Sequence, residues 1–187
     1  AQASFAKAIK LARGLGDKAL LGRIHLSIGR SKVRRGRLAD ARQSYQRAYR
    51  AYKAIEYRRG MSATLLYIGD QLVRTGQPAK AVRYLGRARS IAEAIDWSQG
   101  VDMADVYIGA LRGSDGDEEW RAPLDAAMDR ASERGDPLVV ARGAAMMAYV
   151  LEQRGDTEGA TRERQRAADA ATEAGDPGFA ARAPNPT

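Results

Sequence analysis

The sequence predicts an all-α solenoid of stacked antiparallel helix pairs, and three observations predict it. Ile-Gly recurs at a spacing of 40, as Ile28-Gly29, Ile68-Gly69 and Ile108-Gly109, and another glycine always follows seven places on, at Gly36, Gly76 and Gly116. Segment ends recur as well: "GLGD" at 14–17, "ERGD" at 133–136 and "EAGD" at 173–176. Alanine supplies 36 of the 187 residues whereas Phe and Trp together supply four, a balance that suits closely approaching helices better than packed sheets. A catalytic loop has no reason to be copied three times at a fixed interval. A helical hairpin that cannot bury its apolar face alone must stack on copies of itself.

The elements follow in order. The chain opens inside a unit, with a second helix from Ala1 to about Leu15 in a half repeat over 1–17. Full repeats are expected over 18–57, 58–97, 98–136 and 137–176, then a short terminal helix and tail over 177–187, cut short by Pro184 and Pro186. The whole of 1–187 reads as one array, expected to be a fragment of a longer protein. In the first helices, Ile24 and Ile28, then Leu65, Ile68 and Leu72, keep helical spacing, and Gly36 and Gly76 stand just beyond as left-handed caps. The second helices run from about Ala39 to Glu56 and from Ala79 to Asp96. They repeat a small–large–small pattern: Ala1, Phe5, Ala8; Ala41, Tyr45, Ala48; Ala81, Leu85, Ala88. Asp136-Pro137 and Asp176-Pro177 each place a capping acid before a first-turn proline.

The third repeat departs from this pattern. A one-residue deletion between Gly116 and Leu124 restores the register to Leu124, Ala127, Gly155, Ala160 and Ala167. Trp120 falls where a small residue is expected, so this pair should be pushed apart or its ring swung outward.

The pattern resembles the tetratricopeptide repeat (TPR) family in its longer, 40-residue bacterial form. The residues that carry the likeness are Ile28-Gly29, Gly36, Ala41, Tyr45, Ala48 and their counterparts Ile68-Gly69, Gly76, Ala81, Leu85, Ala88. The resemblance implies a right-handed superhelix that binds a peptide or protein segment on a concave wall of first helices. By repeat position that wall would hold Arg23, Leu26, Arg30, Val33 and Arg34, then Ala63, Leu66, Tyr67, Asp70, Val73 and Arg74. The later repeats would add Met103, Val106, Tyr107, Ala110, Arg142, Met146 and Tyr149. The family's carboxylate clamp uses an asparagine after the first-helix glycine; Arg30, Asp70 and Ala110 stand there, so that specificity is not expected. A sensor or effector-binding region of a bacterial signalling regulator or kinase is the alternative.

Charge is distributed unevenly. Of the net +8, residues 1–60 hold 16 Lys and Arg against Asp17, Asp40 and Glu56, which is +13, and residues 61–187 carry −5. An acidic peptide with apolar anchors is the expected partner. "SKVRRGR" at 31–37 offers no aromatic stacking platform, which disfavours nucleic acid. "SDGDEEW" at 114–120 lacks the ligand spacing of a calcium loop and reads as acids at the start of a helix. The absence of cysteine excludes thiolate metal sites, and a single histidine, His25, falls at a core position. No phosphate-binding, dinucleotide or zinc-protease motif occurs, so neither enzyme activity, cofactor nor metal is expected. No run of 18 apolar residues occurs, and a cytoplasmic location is expected. Phe5 and Ile9 would lack their own first helix, which leaves an N-terminal edge able to self-associate.

Overall fold

The computed structural model describes residues 2–176, with side chains from Ser4 onward. Among these residues there are nine helices and no strand: α1 Gln2–Gly14, α2 Lys18–Val33, α3 Leu38–Lys53, α4 Arg58–Arg74, α5 Pro78–Glu93, α6 Ser98–Ser114, α7 Arg121–Glu133, α8 Pro137–Gln153 and α9 Thr157–Glu173. The terminal helix expected over 177–187 lies outside the described residues.

What stops each helix also sets the repeat. One residue after every helix has positive φ, and its successor returns a backbone bond into the last turn, as from Arg37 N to Lys32 O (3.0 Å), Gln77 N to Leu72 O (2.9 Å) and Asp156 N to Leu151 O (2.9 Å). These left-handed positions are 16, 36, 56, 76, 96, 116, 135, 155 and 175. The step is 20 except for one step of 19, which is the deletion in the third repeat. Seven of the nine are glycine, but Glu56 (φ 52°) and Asp96 (φ 51°) are not. Left-handed backbone costs a residue with a Cβ about 1–2 kcal/mol, and glycine returns about half of that as unfolded-chain entropy. Glu56→Gly is therefore expected to raise stability by about 0.5–1 kcal/mol, and Asp96→Gly by less, because Asp tolerates this region better. A urea melt of each variant checks the sign and the order.

Helices pack in sequence, α1 on α2, α2 on α3 and so on to α9. Successive first helices also pack backbone to backbone (α2 with α4, α4 with α6, α6 with α8), whereas successive second helices do not; α5 reaches α3 through a side chain, Arg87 donating to Tyr49 Oη at 3.2 Å. The first helices therefore line the inner curve of a TPR-like helical-repeat solenoid. Within a pair, glycine on the first helix admits the large residue of the second. A Cβ on Gly29 would lie 2.2 Å from the ring of Tyr45, and one on Gly69 would lie 2.5 Å from Leu85 Cδ2. Tyr45 and Leu85 are both buried, so neither has room to withdraw. Gly69→Leu is expected to cost about 1–3 kcal/mol by overpacking. An unchanged melting temperature would refute the close approach.

The third pair is built differently, and Trp120 is the reason. Its ring turns inward, not outward, and is 4% exposed. It fills the space over Gly113, 2.6 Å from where a Cβ would stand there, beside Val150 of α8. α7 begins at Arg121 and has 13 residues where the other complete pairs' second helices have 16 or 17. With α7 short, α8 leans onto α6 as well as α7. The acids expected at the start of that helix lie instead in the connection before it: Asp117 accepts from Glu119 N, and Glu118 faces Arg154 at 3.5 Å. A polar joint ties α5, α6 and α7: buried Asp102 accepts from Arg130 (2.8 Å) and Arg134, and Asp105 accepts from Arg89 (2.6 Å).

Phe5 and Ile9 are half-buried against α2, while Leu11 and Leu15 are 58% and 76% exposed. Among the described residues, no helix is long and apolar enough to cross a membrane.

Candidate functional site

Three first helices and the residue that precedes the middle one build a hollow of about 210 Å³ on the inner curve. Ala63, Leu66, Tyr67 and Asp70 come from α4, spaced so that they share one helical face. Gln99, Met103 and Tyr107 come from α6, and Leu138 and Arg142 from α8. Trp97, the residue before α6, closes one side. Its ring is seated over Gly100, where a Cβ would stand 2.4 Å from Trp97 Cε3, so a glycine in the first turn fixes this wall.

The floor is a buried polar knot. Arg74 Nε donates to Asp70 Oδ2 at 2.9 Å, Tyr107 Oη donates to Asp70 Oδ1 at 2.7 Å, and Arg142 Nη1 stands 3.8 Å from the same oxygen. Burial by itself pushes the Asp70 carboxyl up. Arg142, then Arg74, and hydrogen bonds from Arg74 and Tyr107 outweigh it and hold the carboxyl below its usual range. Burial pushes the Tyr107 hydroxyl well above its ordinary value, so it stays a donor at neutral pH. The Asp70 carboxylate is thus fully partnered.

Arginines lie on the hollow's rings. Arg30 is over Tyr67 (5.8 Å to the ring centre), Arg59 over Trp97 (5.1 Å) and Arg142 over Tyr107 (5.6 Å). Tyr67 is also stacked on Tyr45 at 5.6 Å.

Of the residues expected on the inner wall, Ala63, Leu66, Tyr67, Asp70, Met103, Tyr107 and Arg142 meet in this hollow. Arg30 reaches it through Tyr67, and Arg74 lies beneath it. Val106 and Met146 are not on the wall: at 0% and 1% exposure they pack in the core between layers. Val73 and Ala110 are core too. Arg23 and Arg34 are exposed, Leu26 and Val33 pack partly against the core, and Tyr149 is half-buried, accepting from Gln153; none of these five lines the hollow. Trp97, Gln99 and Leu138 were not foreseen, because repeat position placed the wall on mid-helix residues and these lie at helix starts. His25 is buried, and burial, then Arg47, Arg13 and Lys32, hold its pKa below the ordinary value. Among the described residues no cluster of acids and histidine could hold a metal ion.

No protein-family model matches the chain, and no curated protein matches it. A solved structure does: aspartyl phosphate phosphatase F from Bacillus subtilis, with a TM-score of 0.70 at 17% identity, over 92% of this chain and 45% of that one. At this identity the likeness shows the fold, a TPR-like helical repeat. This chain spans less than half the length of the protein it matches.

Proposed function

We propose that this chain is a protein-interaction module that binds a peptide or protein segment on its inner face, with the hollow between α4, α6 and α8 as the anchor site. The observation that carries this reading is the lining. Leu66, Trp97, Met103 and Leu138 make an apolar wall around a floor whose one carboxylate, Asp70, is already held from below. The volume matches about seven waters' share of liquid, enough to admit one bulky side chain. Replacing water there with an apolar anchor is favourable.

The reading is of a binding module and not a catalyst, without a resident cofactor or metal, in a cytoplasmic setting. A second version, a sensing region of a bacterial signalling regulator, is favoured by the likeness to aspartyl phosphate phosphatase F. It differs in what lies beyond this chain, not in how the hollow binds.

The test is a peptide-display selection against the folded chain, with affinities of the selected peptides read by fluorescence anisotropy. Met103→Glu puts a charge into the apolar wall and is expected to weaken binding by about tenfold or more. Tyr67→Ala is expected mainly to speed dissociation, because a ring's apolar contact is lost without altering long-range steering. Val82→Glu, on the outer surface of α5, is the control and should change nothing. Binding that survives Met103→Glu but is abolished by Val82→Glu would move the site to the outer face.

A further inference from the structure

Resting on that reading, we propose that the hollow selects an apolar side chain flanked by acidic residues, and that Arg30 and Arg59 are the residues that recognise the acids. Ion pairs hold Arg74, Arg89, Arg121, Arg130, Arg134, Arg142, Arg154, Arg162, Arg164 and Arg166, all from the second two-thirds of the chain. Among the described residues of 1–60 the one such pair is Arg37 with Asp40. The +13 of that segment is therefore largely uncompensated inside the molecule.

Two of these cations lie over rings that line the hollow. Arg30 and Arg59 are exposed, each lies within 6 Å of a ring that walls it, and no carboxylate approaches either within 4 Å in the described structure. Stacking on Tyr67 and Trp97 limits where each guanidinium can go, so less side-chain freedom is lost when a carboxylate arrives. A carboxylate next to an anchored side chain meets a planar, pre-oriented donor set, the geometry that favours bidentate pairing. Repulsion by the same pair would reject lysine-flanked anchors.

Nucleic acid fits the same charge less well. Stacking of bases needs free ring faces. Here Tyr67 is stacked on Tyr45 and carries Arg30, Trp97 carries Arg59, and Tyr107 carries Arg142. The hollow also presents Leu66, Met103 and Leu138, which suit an aliphatic or aromatic side chain inserted end-on.

The experiment uses the whole chain and three labelled, end-blocked peptides that differ only around a central tryptophan: two glutamates on each side, two glutamines, or two lysines. Binding is read by anisotropy at low salt and near 0.15 M, with an oligothymidine strand as a fourth probe. The Glu-flanked peptide is expected to bind about tenfold or more tighter than the Gln-flanked one at low salt, and the gap should narrow as salt screens the pairs. The double variant Arg30→Gln, Arg59→Gln is expected to erase that gap while leaving the Gln-flanked affinity within about twofold, since the anchor's burial is untouched. Both side chains are exposed, and an unchanged melting curve establishes that the variant is folded. If Lys- or Gln-flanked peptides bind as well as Glu-flanked ones, the acidic selectivity is overturned and the anchor reading stands. If the gap persists in the double variant, other cations read the acids and the assignment to Arg30 and Arg59 is overturned. If no tryptophan peptide binds below about 1 mM, or if oligothymidine outcompetes all three, both this inference and the peptide reading fall.

Discussion

Trp120→Ala is expected to lower stability by about 3–5 kcal/mol, the range for removing a large buried ring. The ring is 4% exposed and touches three helices' worth of structure: Gly113 of α6, Val150 of α8 and the start of α7. It is held from outside by Arg154, whose guanidinium lies 5.8 Å from the ring centre. The same guanidinium donates to Gly113 O at 3.1 Å and Asp117 O at 2.8 Å. Alanine would leave a void that short α7 cannot fill by sliding, because its end is pinned by Arg130 and Arg134 on Asp102. Trp120→Phe should recover part of the loss. Urea denaturation followed by circular dichroism measures both. A loss below about 1 kcal/mol would mean the ring is not a packed joint.

Asp70→Ala is the second large effect, expected at about 3–5 kcal/mol, because it removes the buried carboxylate that Arg74 and Arg142 share. The pH dependence separates this charge from simple packing. The folded carboxyl sits below its usual range, so its contribution is complete above the unfolded value of about 3.9 and is lost as pH falls through the folded value. Wild-type stability should therefore drop on the acid side of about pH 4. Asp70→Asn keeps an acceptor for the Tyr107 hydroxyl and should be less costly than Ala at neutral pH. It should also show a shallower acid limb. Melting temperatures of the wild type and Asp70→Asn from about pH 2 to about pH 7, a range that reaches below the usual carboxylate value, decide it. Parallel curves would place the acid sensitivity elsewhere. Because Asp70 also floors the hollow, Asp70→Asn is expected to weaken anchored-peptide binding only modestly, through Tyr107.

The second helices illustrate why function was harder to read than fold. Tyr45 and Leu85 occupy one repeat position and do one job, filling the space over a first-helix glycine. Sequence periodicity reports that job directly. Arg30 and Asp70 also share a repeat position, yet one is exposed on Tyr67 and the other is buried under a hollow. A repeat average says nothing about such a pair.

What the sequence determined by itself was the architecture. Ile-Gly at a spacing of 40 and the glycines that follow are requirements of local backbone and close helix approach, which recur wherever the unit recurs. The deletion beside Trp120 was legible for the same reason. Tertiary structure alone decided which inner-face residues meet in the hollow. Val106 and Met146 carry the right spacing for the wall, but the lean of α8 onto α6 buries them. Trp97, Gln99 and Leu138 sit at helix starts and enter the hollow because consecutive first helices meet there, a contact that no single repeat contains. The inward turn of Trp120 had the same origin. The ring packs over Gly113 of α6 beside Val150 of α8, a meeting of two layers visible in neither layer's sequence.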